Sequence, residues 1–224
     1  MTGAATRATQ PRIAIVDYGI GNLRSAEKAL QRVGAHAALE ATPERIASAA
    51  GIVLPGVGAF GKCRQALAAS DLETVVVEAA SAARDGAGVP FLGICVGMQL
   101  LFDGSEESPD AAGLGLLPGH VRRLPPGVKH PQMQWNRLAL CQPDHPLFAG
   151  LRDDAWMYFV HSYAAMVDPA DESFVLATVD YGGPVVAAAG AGRLAAAQFH
   201  PEKSSHDGLA LLGAFVSECA SVVA

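Results

Sequence analysis

Three short apolar runs in the first half of the chain, residues 12–17, 51–54 and 89–94, constrain the fold most. They are rich in Ile, Val and Leu and largely lack polar positions, so neither face of such a strand can meet water. Strands buried on both faces belong to a parallel sheet with helices covering each side. The intervening segments supply those helices, over residues 22–33, 62–69 and 72–84. Asn22 stands where a helix N-cap is wanted and Gly34 where a helix ends. Thr42-Pro43-Glu44 opens a shorter helix, with proline at a tolerated first-turn position. Residues 36–40 read as a further strand. The run at 51–54 stops at Pro55-Gly56, and the run at 89–94 gives way to a helix at 98–102.

Between Gly115 and Gln198 the pattern changes to strands punctuated by Leu117-Pro118-Gly119, Pro125-Pro126-Gly127 and Tyr181-Gly182-Gly183. These turns predict an antiparallel extension of the sheet. The apolar stretch from Pro184 to Phe199 is broken by Gly190, Gly192 and Arg193, so it reads as a hairpin rather than a membrane span. A last amphipathic helix, about 207–221, carries Leu209, Leu212, Phe215, Val216 and Cys219 on one face. The fold class is therefore α/β, with a mostly parallel central sheet flanked by helices and an antiparallel extension. One domain over residues 12–224 suffices, preceded by a polar, small-residue extension at 1–11 that lacks the apolar core of a signal peptide.

A net charge of −6 with no Lys/Arg cluster disfavours a nucleic-acid partner. Four cysteines in 224 residues, none in a C-x-x-C pair, point to a reducing cytoplasm rather than a disulfide scaffold.

Chemistry concentrates in two segments. Gly93-Ile94-Cys95-Val96-Gly97 lies between a strand and a helix, the thiol counterpart of the G-x-S-x-G nucleophile elbow. The helix start favours the thiolate of Cys95, and the Val96 N–H points toward a developing oxyanion. Cys63, Cys141 and Cys219 read instead as buried structural cysteines. In Gln198-Phe199-His200-Pro201-Glu202, an extended chain puts His200 and Glu202 on one face, so the carboxylate can orient the imidazole. Cys95, His200 and Glu202 form a nucleophile–base–orienter set. His36, His120, His130, His145 and His206 read as surface or satisfied residues. Gly56-Val57-Gly58-Ala59-Phe60-Gly61 spells a dinucleotide fingerprint, but the acidic residue expected about twenty residues on falls in a helical segment. A glycine-rich loop beside a nucleophile can instead lend a backbone N–H to an oxyanion hole.

Together these segments resemble the class I (triad) glutamine amidotransferases, a flavodoxin-like family. Asp17-Tyr18-Gly19-Ile20-Gly21-Asn22, Pro55-Gly56-Val57-Gly58-Ala59-Phe60 and Phe159-Val160-His161-Ser162-Tyr163 are similar to the branch that forms the glutaminase subunits of imidazole glycerol phosphate synthases. That resemblance implies L-glutamine as substrate, Val57 and Val96 as oxyanion donors, and Gly58, Gln99, Glu107, Ser162 and Tyr163 as substrate-binding residues. It implies a heterodimer with a (β/α)₈-barrel cyclase subunit, faced by Asn22, Trp135 and Lys203. It further implies a glycine-rich loop that reorients to complete the oxyanion hole, and neither cofactor nor metal. One departure stands out: the family's P-H-M-G-W-N is here Pro131-Gln132-Met133-Gln134-Trp135-Asn136. Three other readings remain: a triad amidotransferase serving vitamin B6 or guanylate synthesis, a non-catalytic regulatory relative, and an NAD-binding protein using the glycine-rich loop.

Overall fold

The structure, a computed structural model, describes residues 10–167 and 169–223. The expected extension at 1–11 therefore lies outside the described residues, apart from Gln10 and Pro11. In chain order the elements are β1 (Arg12–Val16), α1 (Leu23–Arg32), β2 (His36–Glu40), α2 (Pro43–Ala47), β3 (Gly51–Gly56), α3 (Phe60–Ala69), α4 (Glu73–Arg84), β4 (Phe91–Cys95) and α5 (Val96–Gln99). There follow β5 (Gly104–Ser105), β6 (His120–Arg123), β7 (Gln132–Arg137), β8 (Ala139–Leu140), β9 (Trp156–His161), β10 (Tyr163–Met166), β11 (Val175–Asp180), β12 (Pro184–Ala191), β13 (Leu194–Ala197) and α6 (Ser205–Val223).

The main sheet runs β2-β1-β3-β4-β13-β12-β11-β8. From β2 to β13 all neighbours are parallel, and β12, β11 and β8 add the antiparallel extension. The three apolar runs become β1, β3 and β4, whose residues are almost all buried. The second half is less simple than its turns predict. β10, β6 and β5 form a separate three-stranded sheet, and β7 pairs with β9 in a two-stranded ribbon. Among the described residues no helix is long and apolar enough to cross a membrane.

Three local expectations are corrected. First, β3 continues through Pro55 to Gly56 instead of stopping there, with Pro55 opposite Ile94 and Gly56 opposite Cys95. Pro55 lies past the last register pair with β1, Ile15 to Val53, where a missing N–H breaks little. Second, the helix after Cys95 begins at Val96 and lasts one turn, not over 98–102. The carbonyls of Leu100, Leu101 and Phe102 accept from the N–H groups of residues 114–117, so tertiary contacts replace the helical ladder. Third, Asn22 precedes α1 without capping it; its Oδ1 accepts from Ser25 Oγ at 2.9 Å.

Close approach of β3 to the turn after Cys95 depends on glycine. A Cβ on Gly97 would fall onto the Leu54 carbonyl oxygen, and one on Gly56 would lie 2.6 Å from the Gly97 nitrogen. Gly97→Ala is expected to lower the unfolding free energy by about 1–3 kcal/mol through overpacking, seen as a lower urea midpoint.

Candidate active site

Strands β3, β4 and β13 are adjacent, parallel and in register, so their carboxyl ends reach one edge together. This edge is where open α/β sheets place their chemistry. β3 delivers the loop at 56–59, β4 delivers Cys95, and β13 delivers Gln198 and His200.

Cys95 has φ 55° and ψ −113°, a left-handed conformation rare for a residue with a side chain. That is the sharp strand-to-helix turn its flanking glycines predicted. Because α5 is a single turn, its dipole is small. The nearby charge partner is His200. Burial alone would lower the His200 pKa, but hydrogen bonds and charges from Cys95 and Glu202 outweigh it and carry it up to about 9. His200 therefore holds its proton at neutral pH, facing the thiol group as an imidazolium.

The His200–Glu202 pairing is as expected, with Nδ1 2.8 Å from the carboxylate Oε1. The backbone that produces it is not. His200 is extended, but residues Pro201–Lys203 form a 3₁₀ turn opened by the fixed φ of Pro201. The His200 backbone is itself tied down: its N–H donates to the Tyr158 carbonyl, and its carbonyl accepts from Ser204 Oγ at 2.6 Å.

A pocket of about 500 Å³ opens over this group. Every residue that the resemblance assigned to oxyanion, substrate or interface roles borders it, except Trp135: Val57, Val96, Gly58, Gln99, Glu107, Ser162, Tyr163, Asn22 and Lys203. Glu107 is also engaged within the chain: its Oε2 accepts from the Phe60 N–H at 2.7 Å at the start of α3. Ser108 Oγ takes the next N–H, of Gly61, at 3.1 Å. The helix start that a dinucleotide phosphate would need is thus committed to the chain's own side chains.

Two site residues escaped the sequence reading. Gln198 is fully buried, and its Nε2 lies 3.8 Å from Cys95 Sγ while its Oε1 accepts from Gln99 Nε2 at 3.0 Å. Its signal was a lone amide ending an apolar strand. His161 borders the same pocket; its Nδ1 bonds the Tyr163 carbonyl at 2.9 Å, while its Nε2 is buried without a partner among the described residues. Burial first, then the charge of His200, lowers its pKa to about 4, so it is neutral where His200 is charged. Among the cysteines, Cys63 and Cys219 are buried as expected, whereas Cys141 is exposed and is no core residue. Of the two departures, Gln132 is fully buried, opposite His161 across the β7–β9 ladder, and only Gln134 is exposed.

The sequence model of the family described as glutamine amidotransferase class-I matches residues 14–218. The chain belongs to the class-I glutamine amidotransferases. Within that family it is similar to proteins named imidazole glycerol phosphate synthase subunit HisH. The one from Symbiobacterium thermophilum is 51% identical over 201 residues, covering 90% of this chain and 91% of the relative. That from Synechococcus elongatus is 48% identical over 217 residues, covering 96% of each, and that from Deinococcus radiodurans is 47% identical over 213, covering 94% and 95%. Among solved structures, a crystal structure of a glutamine amidotransferase superposes with a TM-score of 0.71 at 20% identity, covering 93% of this chain and 98% of that one. PurLQS from Thermotoga maritima gives 0.69 at 21% identity, covering 96% and 99%. At that identity these two establish the amidotransferase fold alone.

Proposed function

We infer that the chain is the glutaminase subunit of an imidazole glycerol phosphate synthase, acting in histidine biosynthesis in the cytoplasm. It hydrolyses glutamine to glutamate and ammonia, and Cys95, His200 and Glu202 carry the reaction. The observation that carries this reading is His200 placed beside Cys95 with its Nδ1 2.8 Å from Glu202 Oε1, at a pocket lined by the expected residues.

The Cys95 thiolate attacks the carboxamide carbon of glutamine. Negative charge develops on the carbonyl oxygen, where the N–H groups of Val57 and Val96 can meet it. His200 gives its proton to the departing nitrogen, which leaves as ammonia, and a γ-glutamyl thioester remains on Cys95. Neutral His200 then takes a proton from water as it attacks the thioester, glutamate leaves, and the thiolate–imidazolium pair is restored. Glu202 keeps the imidazole in one tautomer throughout. The Glu107 carboxylate suits the substrate's α-ammonium group, and Gln99, Ser162 and Tyr163 border the rest of the substrate.

The partner reading rests on resemblance and on one surface. Met133, Trp135 and Trp156 are 61, 43 and 46% exposed on the β7–β9 ribbon, a concentration of apolar surface that suits a protein partner. Asn22 and Lys203, at the pocket, suit the same partner, a (β/α)₈-barrel cyclase that receives the ammonia. Trp135→Ala is expected to weaken the complex by about 2 kcal/mol, near thirtyfold in Kd, in a calorimetric titration. Copurification with a cyclase barrel separates this reading from a triad amidotransferase serving another synthase.

A further inference from the structure

Two buried groups that glutamine hydrolysis does not use meet behind the glycine-rich loop. Tyr18 follows β1, and Cys63 stands on α3. Tyr18 Oη donates to the Pro55 carbonyl at 2.6 Å, and Cys63 Sγ donates to the Val57 carbonyl at 3.3 Å. Burial raises the pKa of both groups and the charge of Cys95 adds to it; at Cys63 the hydrogen bonds to Tyr18 and the Val57 carbonyl offset only part of the rise. Both therefore stay protonated at neutral pH and remain donors.

We propose that Tyr18 and Cys63 are positioning residues that set the backbone of the oxyanion loop. The Pro55 carbonyl belongs to the peptide joining Pro55 to Gly56, and the Val57 carbonyl to the peptide joining Val57 to Gly58. Fixing both of these planes leaves one peptide between them, Gly56 to Val57, and that unit bears the Val57 N–H. The loop cannot relax toward Cys95, because Gly56 already packs against Val96 and Gly97. Gly58, at φ +87°, lets the chain turn away into α3 without moving the pinned carbonyl. The two donors thus reduce the loop's freedom to rotation of a single peptide, the one whose direction decides whether an oxyanion is met. Donors fixed before reaction cost no reorganisation in the transition state.

This inference rests on Val57 acting as an oxyanion donor in the reading above. It separates the chemistry into two parts. Hydrolysis of glutamine needs the oxyanion hole, whereas alkylation of Cys95 by iodoacetamide is a displacement at an sp³ carbon that needs only the thiolate. Tyr18→Phe removes the hydroxyl and keeps the ring. In the complex with the cyclase subunit and its nucleotide ligand, it is expected to lower kcat for glutamine about tenfold, with KM within about twofold. Its Cys95 alkylation rate, followed by peptide mass spectrometry, stays within about twofold of the parent. Cys63→Ala shows the same split at about threefold in kcat, and it decides the matter if circular dichroism shows that Tyr18→Phe does not fold. Unchanged kcat overturns the proposal, and so does a parallel loss of alkylation or a matching rise in KM, which would mark general damage to the site. Failure of the underlying reading has a different signature: an unsubstituted complex with no glutaminase activity, or activity that survives Cys95→Ala. Either result would remove this inference with it.

Discussion

Cys95→Ala is expected to lower glutamine hydrolysis by about four orders of magnitude or more, the loss that follows removal of a nucleophile acting as one unit with its base. No other described cysteine can substitute. Cys63 is turned to the Val57 carbonyl, Cys219 packs against Gly51, and Cys141 is at the surface. The same variant should keep its fold, since alanine is smaller than cysteine and, among the described residues, the thiol's hydrogen-bond partners are the side chains of Gln198 and His200 rather than the backbone. The complex carrying Cys95→Ala should still use added ammonia, because only the ammonia source has been removed. Glutamine assays with and without an ammonium salt distinguish the two losses. Failure with ammonia as well would mean that the change damaged the partner interface rather than the nucleophile.

Glu202→Gln is the second large effect. The amide keeps the size of the carboxylate but cannot stabilise the imidazolium or hold its tautomer, and the expected loss in kcat is about 10³–10⁴-fold. Its pH dependence has a definite sign. Glu202 raises the His200 pKa through its hydrogen bond and its charge, so removing the charge lets that pKa fall from about 9. In the proposed mechanism His200 donates its proton, so the alkaline limb of kcat/KM is expected near pH 9 in the parent and at lower pH in the variant. An alkaline limb that stays in place would show that Glu202 does not hold the His200 proton.

Much of this was legible in the sequence where residue type alone dictates the outcome. The apolar runs had to become buried parallel strands, and Gly93 and Gly97 had to mark a tight turn around Cys95. What escaped was decided by partners distant in the chain. The helix after Cys95 stops at one turn because residues 114–117 take its carbonyls, which no local propensity announces. Asn22 looks like a cap, yet Ser25 occupies its side chain. The His200–Glu202 pairing was foreseen for a partly wrong reason, since Pro201 starts a 3₁₀ turn where an extended chain was expected. Gln198 and His161 went unremarked because a buried polar side chain reveals its role only through what it touches. The departures at Gln132 and Gln134 looked alike in sequence, and alternation sets both on one face of β7, yet Gln132 is buried at the end of the ladder opposite His161 while Gln134 is exposed.

The same logic bears on the glycine-rich loop. Read as letters, Gly56 to Gly61 is a phosphate cradle. In the fold its following helix is already met by Glu107 and Ser108, and the Pro55 carbonyl just before it and its own Val57 carbonyl are held by Tyr18 and Cys63. The loop is built to lie against Cys95.

The central claim is that this chain hydrolyses glutamine at Cys95 in service of a cyclase partner. The most direct test is the rate of glutamate formation by the purified chain, alone and with a cyclase barrel subunit plus its nucleotide ligand. The account predicts a low rate alone, a sharp rise in the complex, and loss of both in Cys95→Ala. Absence of glutamate formation in either state, or a rate unaffected by Cys95→Ala, would contradict it.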